Sequence, residues 1–459
     1  MTRHSERAFV AVLGLIAAYL LIWPFWRAFF PMEITTNEGW NAYYQDAALH
    51  GTLYPPADAL IVNNYPPLSF YGIGWLSQWF GDSLYVGRAI SALSVLGLGI
   101  VIALAVRRLG SGKIAAAIAS TWFVAVIAGS FNRFVAMNDP QLFAQFIMTG
   151  ALVWFLARDR HGLSAVPPVL LMVVAGFIKH NIVVIPATVL LWLALRDGRR
   201  ALLPIMAGVL AALAGLLICF AVYGEAFASN MLAVREYRLL RILSSVGRLQ
   251  WVIPAMVIWA IWAWHARQTP VARFTALYIA IGLLVYLVQW AGEGVVDNAQ
   301  FDLVIAVAIG LGVAYEHIGE IKRAPFWSIV RLRALVVGIL VIRLLATGRI
   351  ESFLILFDPA YRAQFPIQAA IVESETKRVA AIKGDVWCTL KVICRRAGKP
   401  FAGDDFKVEQ MLATGKITKT ELDVLLKNRG ITYATIDERA ETISLNRDLV
   451  RMWWFGDKS

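Results

Sequence analysis

AFVAVLGLIAAYLLIWPFWRAFF, residues 8–30, follows Arg3 and Arg7 and carries one charge, Arg27, in 23 positions. Its length matches the roughly 20 apolar residues that cross a bilayer as a helix. Its end is crowded with Trp23, Phe25, Trp26, Phe29 and Phe30, where a cleaved signal peptide would carry small residues. It reads as an uncleaved first membrane span. Similar runs recur at 84–106, 113–131, 140–157, 164–178, 181–195, 201–223, 250–266, 271–291, 301–317 and 327–347. They predict an α-helical polytopic membrane protein with about eleven transmembrane helices. The runs at 164–178 and 181–195 are short and flank Phe177-Ile178-Lys179-His180-Asn181, so they read as two half-length helices meeting at a polar bend.

Composition agrees. Of 459 residues, 59% are hydrophobic and 16% charged, and 17 are Trp. Soluble chains are nearer half apolar and a quarter charged, and Trp gathers at bilayer interfaces. The net charge of +12 does not mark a nucleic-acid footprint. Residues 350–459 hold 17 Lys/Arg against 15 Asp/Glu, leaving about +10 for the rest, clustered between apolar runs. The clusters are Arg3/Arg7, Arg107/Arg108/Lys113, Arg158/Arg160, Arg196/Arg199/Arg200, Arg267/Arg273 and Lys322/Arg323/Arg331/Arg333. The loop at 31–83 has none, yet holds Glu33, Glu38, Asp46, Asp58 and Asp82. The positive-inside rule therefore puts the N-terminus in the cytoplasm and this acidic loop outside. The outer loop at 224–249 departs from the pattern with Arg235, Arg238, Arg241 and Arg248.

An odd number of spans carries residues 350–459 to the same outer side as the acidic loop. That tail reads as a small extracytoplasmic α/β domain, set apart from the membrane part at 1–349. Strands are expected at Asp385–Cys388 and Ile431–Ile436, and helices at Glu409–Thr414 and Lys419–Asn428. Cys219 lies in an apolar run and reads as core. Cys388 and Cys394 fit either a disulfide or a buried free pair. No internal repeat is evident.

Three outer-face features carry chemistry. Glu38 lies in Thr36-Asn37-Glu38-Gly39-Trp40, ahead of Tyr65-Pro66-Pro67; its plainer reading is a carboxylate at a helix start. Asp139 stands in Asn138-Asp139-Pro140, six residues after Arg133, and equally fits a helix cap followed by Pro. Lys179-His180 occupies the bend; ionisable groups at membrane depth usually face the protein interior or a wet cavity. Two carboxylates and a cationic set on one face suit sugar transfer from a lipid phosphate. A carboxylate removes the acceptor proton and cations hold the departing phosphate.

These residues, with Arg396-Ala397-Gly398-Lys399-Pro400 and Asp404-Asp405-Phe406 in the tail, resemble the GT-C superfamily of integral membrane glycosyltransferases. The likeness is to bacterial relatives of the protein O-mannosyltransferase and aminoarabinose-lipid-A transferase group, and it covers nearly the whole chain. The resemblance implies an inverting transfer from a polyprenyl-phosphate sugar to a hydroxyl on a lipid, glycan or protein, at the outer face of the inner membrane. It implies Glu38 and Asp139 as catalytic carboxylates, one of them the base. It implies Lys179, His180 and Arg133 at the donor phosphate, and Asn37, Tyr65 and Asn138 at the substrate. Many members have Asp where Asn37 stands, and an amide is no base. Some relatives use a divalent cation; this sequence has no ligand cluster to decide it. A transporter or lipid flippase is the competing class, with Glu293, Asp297 and Asp302 at the membrane edge as its candidate path.

Overall fold

The computed structural model describes residues 3–157, 161–320 and 329–440. The cation clusters at Arg158/Arg160 and Lys322/Arg323, and the end of the tail at 441–459, lie outside these residues. The first span is α1 (Arg3–Arg27). The acidic loop folds into α2 (Thr36–Leu49) and α3 (Leu68–Phe80), and the chain re-enters as α4 (Ser83–Arg108) and α5 (Lys113–Ser130). Next come α6 (Gln141–Leu156), α7 (Val166–Ile178), α8 (Val184–Asp197) and α9 (Leu202–Tyr223). Two short helices, α10 (Glu225–Met231) and α11 (Leu240–Val246), precede α12 (Ile253–His265), α13 (Pro270–Trp290), α14 (Phe301–His317) and α15 (Ile329–Leu345).

By length and apolar composition, six helical stretches among the described residues can cross a membrane, or seven if a pair bent by 81° at 240–265 counts as one. That is fewer than the eleven runs read from the sequence. The runs at 181–195 and 201–223 join into one stretch, Val184–Tyr223, through a 3₁₀ turn, while Gln141–Leu156 and Gly162–Ile178 are apolar but shorter than a full crossing. The break between half-helices is present: α7 ends at Ile178, Lys179 is extended, and α8 begins at Val184.

The core is centred on α14, which is buried along its length against α4, α5, α12 and α13. Small residues permit that approach: a Cβ on Gly312 would stand 2.8 Å from Val106 and 2.9 Å from Ala119.

The tail begins with α16 (Glu351–Phe357) and α17 (Pro359–Ala381), which pack on the C-terminal end of α1; Trp23 Nε1 donates to the Tyr361 hydroxyl at 3.0 Å. β1 (Asp385–Cys388) and β2 (Ile431–Ala434) pair in parallel, Asp385 opposite Ile431. A parallel pair needs a crossover, supplied by α18 (Lys391–Arg396), α19 (Asp405–Ala413) and α20 (Lys419–Asn428). Cys388 and Cys394 form a disulfide that ties β1 to α18.

The acidic loop and the tail are clamped together. Arg395 on α18 donates to Asp46 at 2.6 and 3.1 Å and to Asp82 at 2.7 Å. Arg429 reaches Asp58 at 3.1 Å, and Glu33 accepts the Val392 N–H at 3.1 Å. Both segments therefore lie at one end of the helical bundle.

Candidate active site

Glu38, in the first turn of α2, is buried and fully engaged. Arg88 on α4 donates to both its oxygens, at 2.9 and 2.6 Å. The Ile34 N–H (2.7 Å) and Asn138 N–H (2.9 Å) donate to the same carboxylate. The remaining Arg88 donors reach the carbonyls of Ala28, Phe30 and Met32. Such an arrangement holds the end of α1, the start of α2 and the turn before α6 against α4. Two buried charges are tolerable only when paired and hydrogen-bonded this completely.

Asn138 is likewise interior. It exchanges side-chain hydrogen bonds with Gln45 (2.8 and 3.0 Å) and accepts from Asn41 at its carbonyl (2.9 Å). Its neighbour Asp139 caps α6 by accepting the Gln141 N–H at 2.7 Å, as the Asp-Pro pattern suggests. The same carboxylate accepts from Lys179 Nζ at 3.2 and 3.4 Å, so it both caps a helix and fixes the lysine at the bend. Lys179 also lies over the Tyr65 ring, 4.0 Å from its centroid. Burial opposes the lysine's charge, but Asp139 and Tyr65 outweigh it and the pKa is raised.

A cavity of about 890 Å³ opens between the helical bundle and the tail. The wall opposite the tail is lined by Asn37, Trp40, Tyr65, Arg133, Lys179, His180 and Arg235. His180 is walled in beside two cations, and that desolvation, reinforced by Lys179 and Arg235, lowers its pKa to about 4. Its ring is neutral at physiological pH and offers hydrogen bonds rather than charge. Arg133 stands at the rim, paired with Asp297 at 2.7 Å. Arg235 stacks over Phe406, 5.3 Å away, and no carboxylate pairs with it among the described residues. The opposite wall comes from the tail: Thr389, Lys391, Asp404, Asp405, Phe406, Glu409 and Tyr433. Burial pushes Asp404 up to about 6 despite Lys391 nearby.

Of the residues singled out in the sequence, Asn37, Tyr65, Arg133, Lys179 and His180 share this cavity, and Asp404, Asp405 and Phe406 of the tail motif face them across it. Asp139 stands directly behind Lys179, while Glu38 and Asn138 sit in the supporting framework and do not line it. Arg235, Lys391 and Glu409 join the site from elsewhere. Arg235 had a signal, since it lies in the one outer loop that departs from the positive-inside pattern. Glu293, Asp297 and Asp302 form no common path: Glu293 pairs with Arg241 (2.7 Å), Asp297 with Arg133 and Arg248, and Asp302 is buried beside Gln145 (3.4 Å). Among the described residues, no group of three or more His, Cys, Asp or Glu is placed to hold a metal ion, so the donor set does not fit one.

The bundle carries several helices long and apolar enough to cross a membrane, and its fold is that of the GT-C membrane glycosyltransferases. The structure is similar to that of ArnT, the aminoarabinose-lipid A transferase, from Cupriavidus metallidurans. In its apo state the TM-score is 0.59 at 12% identity, over 99% of this chain and 92% of that one. Bound to undecaprenyl phosphate, the same protein aligns with a TM-score of 0.57 at 13% identity, over 100% of this chain and 92% of that one. By sequence, no family model and no curated protein matches the chain.

Proposed function

We propose that this chain is a membrane glycosyltransferase that moves a sugar from a polyprenyl-phosphate donor to an acceptor hydroxyl, inverting the anomeric carbon. The observation that carries the reading is the cavity wall holding Lys179, Arg235 and Arg133 together with neutral His180. In a GT-C fold this is a receptor for a phosphate at the membrane surface, and the neighbour's complex with undecaprenyl phosphate supports a lipid-phosphate ligand. Lys179 and Arg235 neutralise the charge that develops as the anomeric C–O bond breaks. Phosphate departs without needing a proton, so one base suffices and direct displacement inverts the carbon. Asp139 keeps Lys179 aimed. Trp40 and Tyr65 offer aromatic faces to the sugar. The acceptor is a lipid, a glycan or a protein hydroxyl.

The same proposal includes about eleven crossings of the inner membrane, completed by the shorter apolar helices. The N-terminus lies in the cytoplasm, and residues 350–459 form an extracytoplasmic domain. The Lys/Arg distribution, the Cys388–Cys394 disulfide and the clamp between tail and acidic loop support this sidedness.

The test is release of undecaprenyl phosphate from undecaprenyl-phosphate sugars by the purified chain, with an extract of cell-envelope lipids and glycans as acceptor. Lys179→Ala and Arg235→Gln should each raise the donor KM about tenfold or more, as expected for a lost charge-assisted contact. Arg235→Gln removes no buried partner and should melt like the wild type. An unchanged donor KM in both folded variants would remove the phosphate from this wall.

A further inference from the structure

The two walls of the cavity differ in sign. Carboxylates of the membrane part that flank it are held by partners: Glu38 by Arg88, Asp139 by Lys179 and α6, Asp297 by Arg133 and Arg248, Glu293 by Arg241. None of the four lines the cavity, and Asn37, which does, is an amide. The carboxylates that line it are Asp404, Asp405 and Glu409, all from the tail.

The three are not equivalent. Asp404 is buried, with its backbone N–H bonded to the Leu60 carbonyl at 3.0 Å. Glu409 is exposed and has no partner among the described residues to fix it. Asp405 has a side chain 34% exposed and is held by Lys391 Nζ at 3.2 Å. Lys391 also lies 3.7 Å from Asp404, so one ammonium serves two carboxylates. α19 is anchored over the cavity at three points: the Asp404–Leu60 bond, the Glu236 N–H donating to Gln410 at 2.7 Å, and the Phe406 ring against Gly294.

We propose that Asp405 is the catalytic base of the transfer, with Lys391 as its positioning residue; this rests on the transferase reading above. The acceptor oxygen attacks the anomeric carbon as Asp405 takes its proton. The anomeric C–O bond breaks with its electron pair leaving on the phosphate oxygen, beside Lys179 and Arg235. The extramembrane tail then supplies the group that the first loop lacks at Asn37.

The experiment compares wild type, Asp405→Asn and Asp405→Glu in the full-length purified chain. Each is given an undecaprenyl-phosphate sugar with either the envelope extract or sodium azide. Azide is an anionic nucleophile with no proton to lose, so it bypasses a missing base. Asp405→Asn should lower kcat toward hydroxyl acceptors by about a hundredfold or more at unchanged donor KM, the usual effect of a lost general base. It should still form glycosyl azide at close to the wild-type rate, and Asp405→Glu should recover part of the hydroxyl transfer. An active chain whose Asp405→Asn variant transfers to hydroxyls like wild type, or is not bypassed by azide, overturns this inference alone. A wild-type chain that releases no undecaprenyl phosphate with either nucleophile overturns the transferase reading and the inference with it.

Discussion

Glu38→Gln separates a framework carboxylate from a catalytic one. The native carboxylate is 0% exposed and accepts four hydrogen bonds, two from Arg88 and two from the backbone N–H groups of Ile34 and Asn138. Glutamine keeps one acceptor oxygen and turns its NH₂ toward groups that also donate. Arg88 retains the carbonyls of Ala28, Phe30 and Met32, but its buried charge loses the counter-ion. Removing one member of a buried pair costs about 3–5 kcal/mol. The melting temperature should fall by about 3–5 °C for a chain of this length, followed by the fluorescence of the 17 tryptophans in detergent. Arg88→Gln should cost a similar amount, and the double variant less than the sum, because the two singles damage one contact. Below both melting points, turnover per folded molecule should stay within about tenfold of wild type. A Glu38→Gln variant that melts like wild type yet releases no undecaprenyl phosphate would refute the reasoning and make Glu38 the reacting group.

Two further outcomes follow from the joint between loop and tail. Burial, working against Lys391, pushes the Glu33 carboxyl from 4.5 up to about 7. A carboxyl whose pKa is raised on folding contributes stability below its unfolded value and loses it as pH climbs through the folded one. The melting temperature should therefore decline between about pH 4.5 and pH 7, Asp404 adding to the lower part of that interval. Glu33→Gln should melt lower throughout, since its amide nitrogen must face a backbone N–H, but with a flatter pH slope; an unchanged slope would place the titration elsewhere. Gly39→Ala would drive a Cβ to 2.5 Å from Lys391 Cβ and 2.6 Å from the Val392 nitrogen. That overpacking should cost about 1–3 kcal/mol and speed proteolysis of the tail. Wild-type protease resistance would mean that α2 and α18 separate without cost.

What was legible in the sequence is what local pattern encodes. Apolar runs gave the helices, the Lys179-His180 interruption gave the broken one, and β-branched and apolar clusters gave both strands. Asp139-Pro140 was readable as a helix cap, and it is one. The run count overshot the long helices because hydropathy does not say whether two neighbouring runs join, as α8 and α9 do. The acidic loop looked solvated because it has no nearby cations. Its partners are Arg395, Arg429 and the α18 backbone, more than 300 residues away. Glu38 was ambiguous for the same reason: Arg88 lies 50 residues later, inside an apolar run. Asp405 was singled out only within the tail motif Asp404-Asp405-Phe406, with nothing local to place it at a cavity.

The distribution of charge in the bundle follows from the cost of burying it, and it bears on where a base can stand. Near the bilayer an unpaired carboxylate either finds a cation or gives up its charge. Glu38 and Asp139 took the first course, and in doing so became struts that hold the α6 turn and Lys179. Neither lines the cavity, so neither stands where an acceptor hydroxyl would meet it. A base needs partial hydration and a partner that orients it without neutralising its surroundings. Among the carboxylates lining the cavity, Asp405 meets both conditions, one third exposed and sharing a single lysine with Asp404. The docked tail is then part of the reaction chamber rather than a cover. Weakening its clamp at Arg395 should slow transfer while leaving the Lys179–Arg235 wall of the bundle in place.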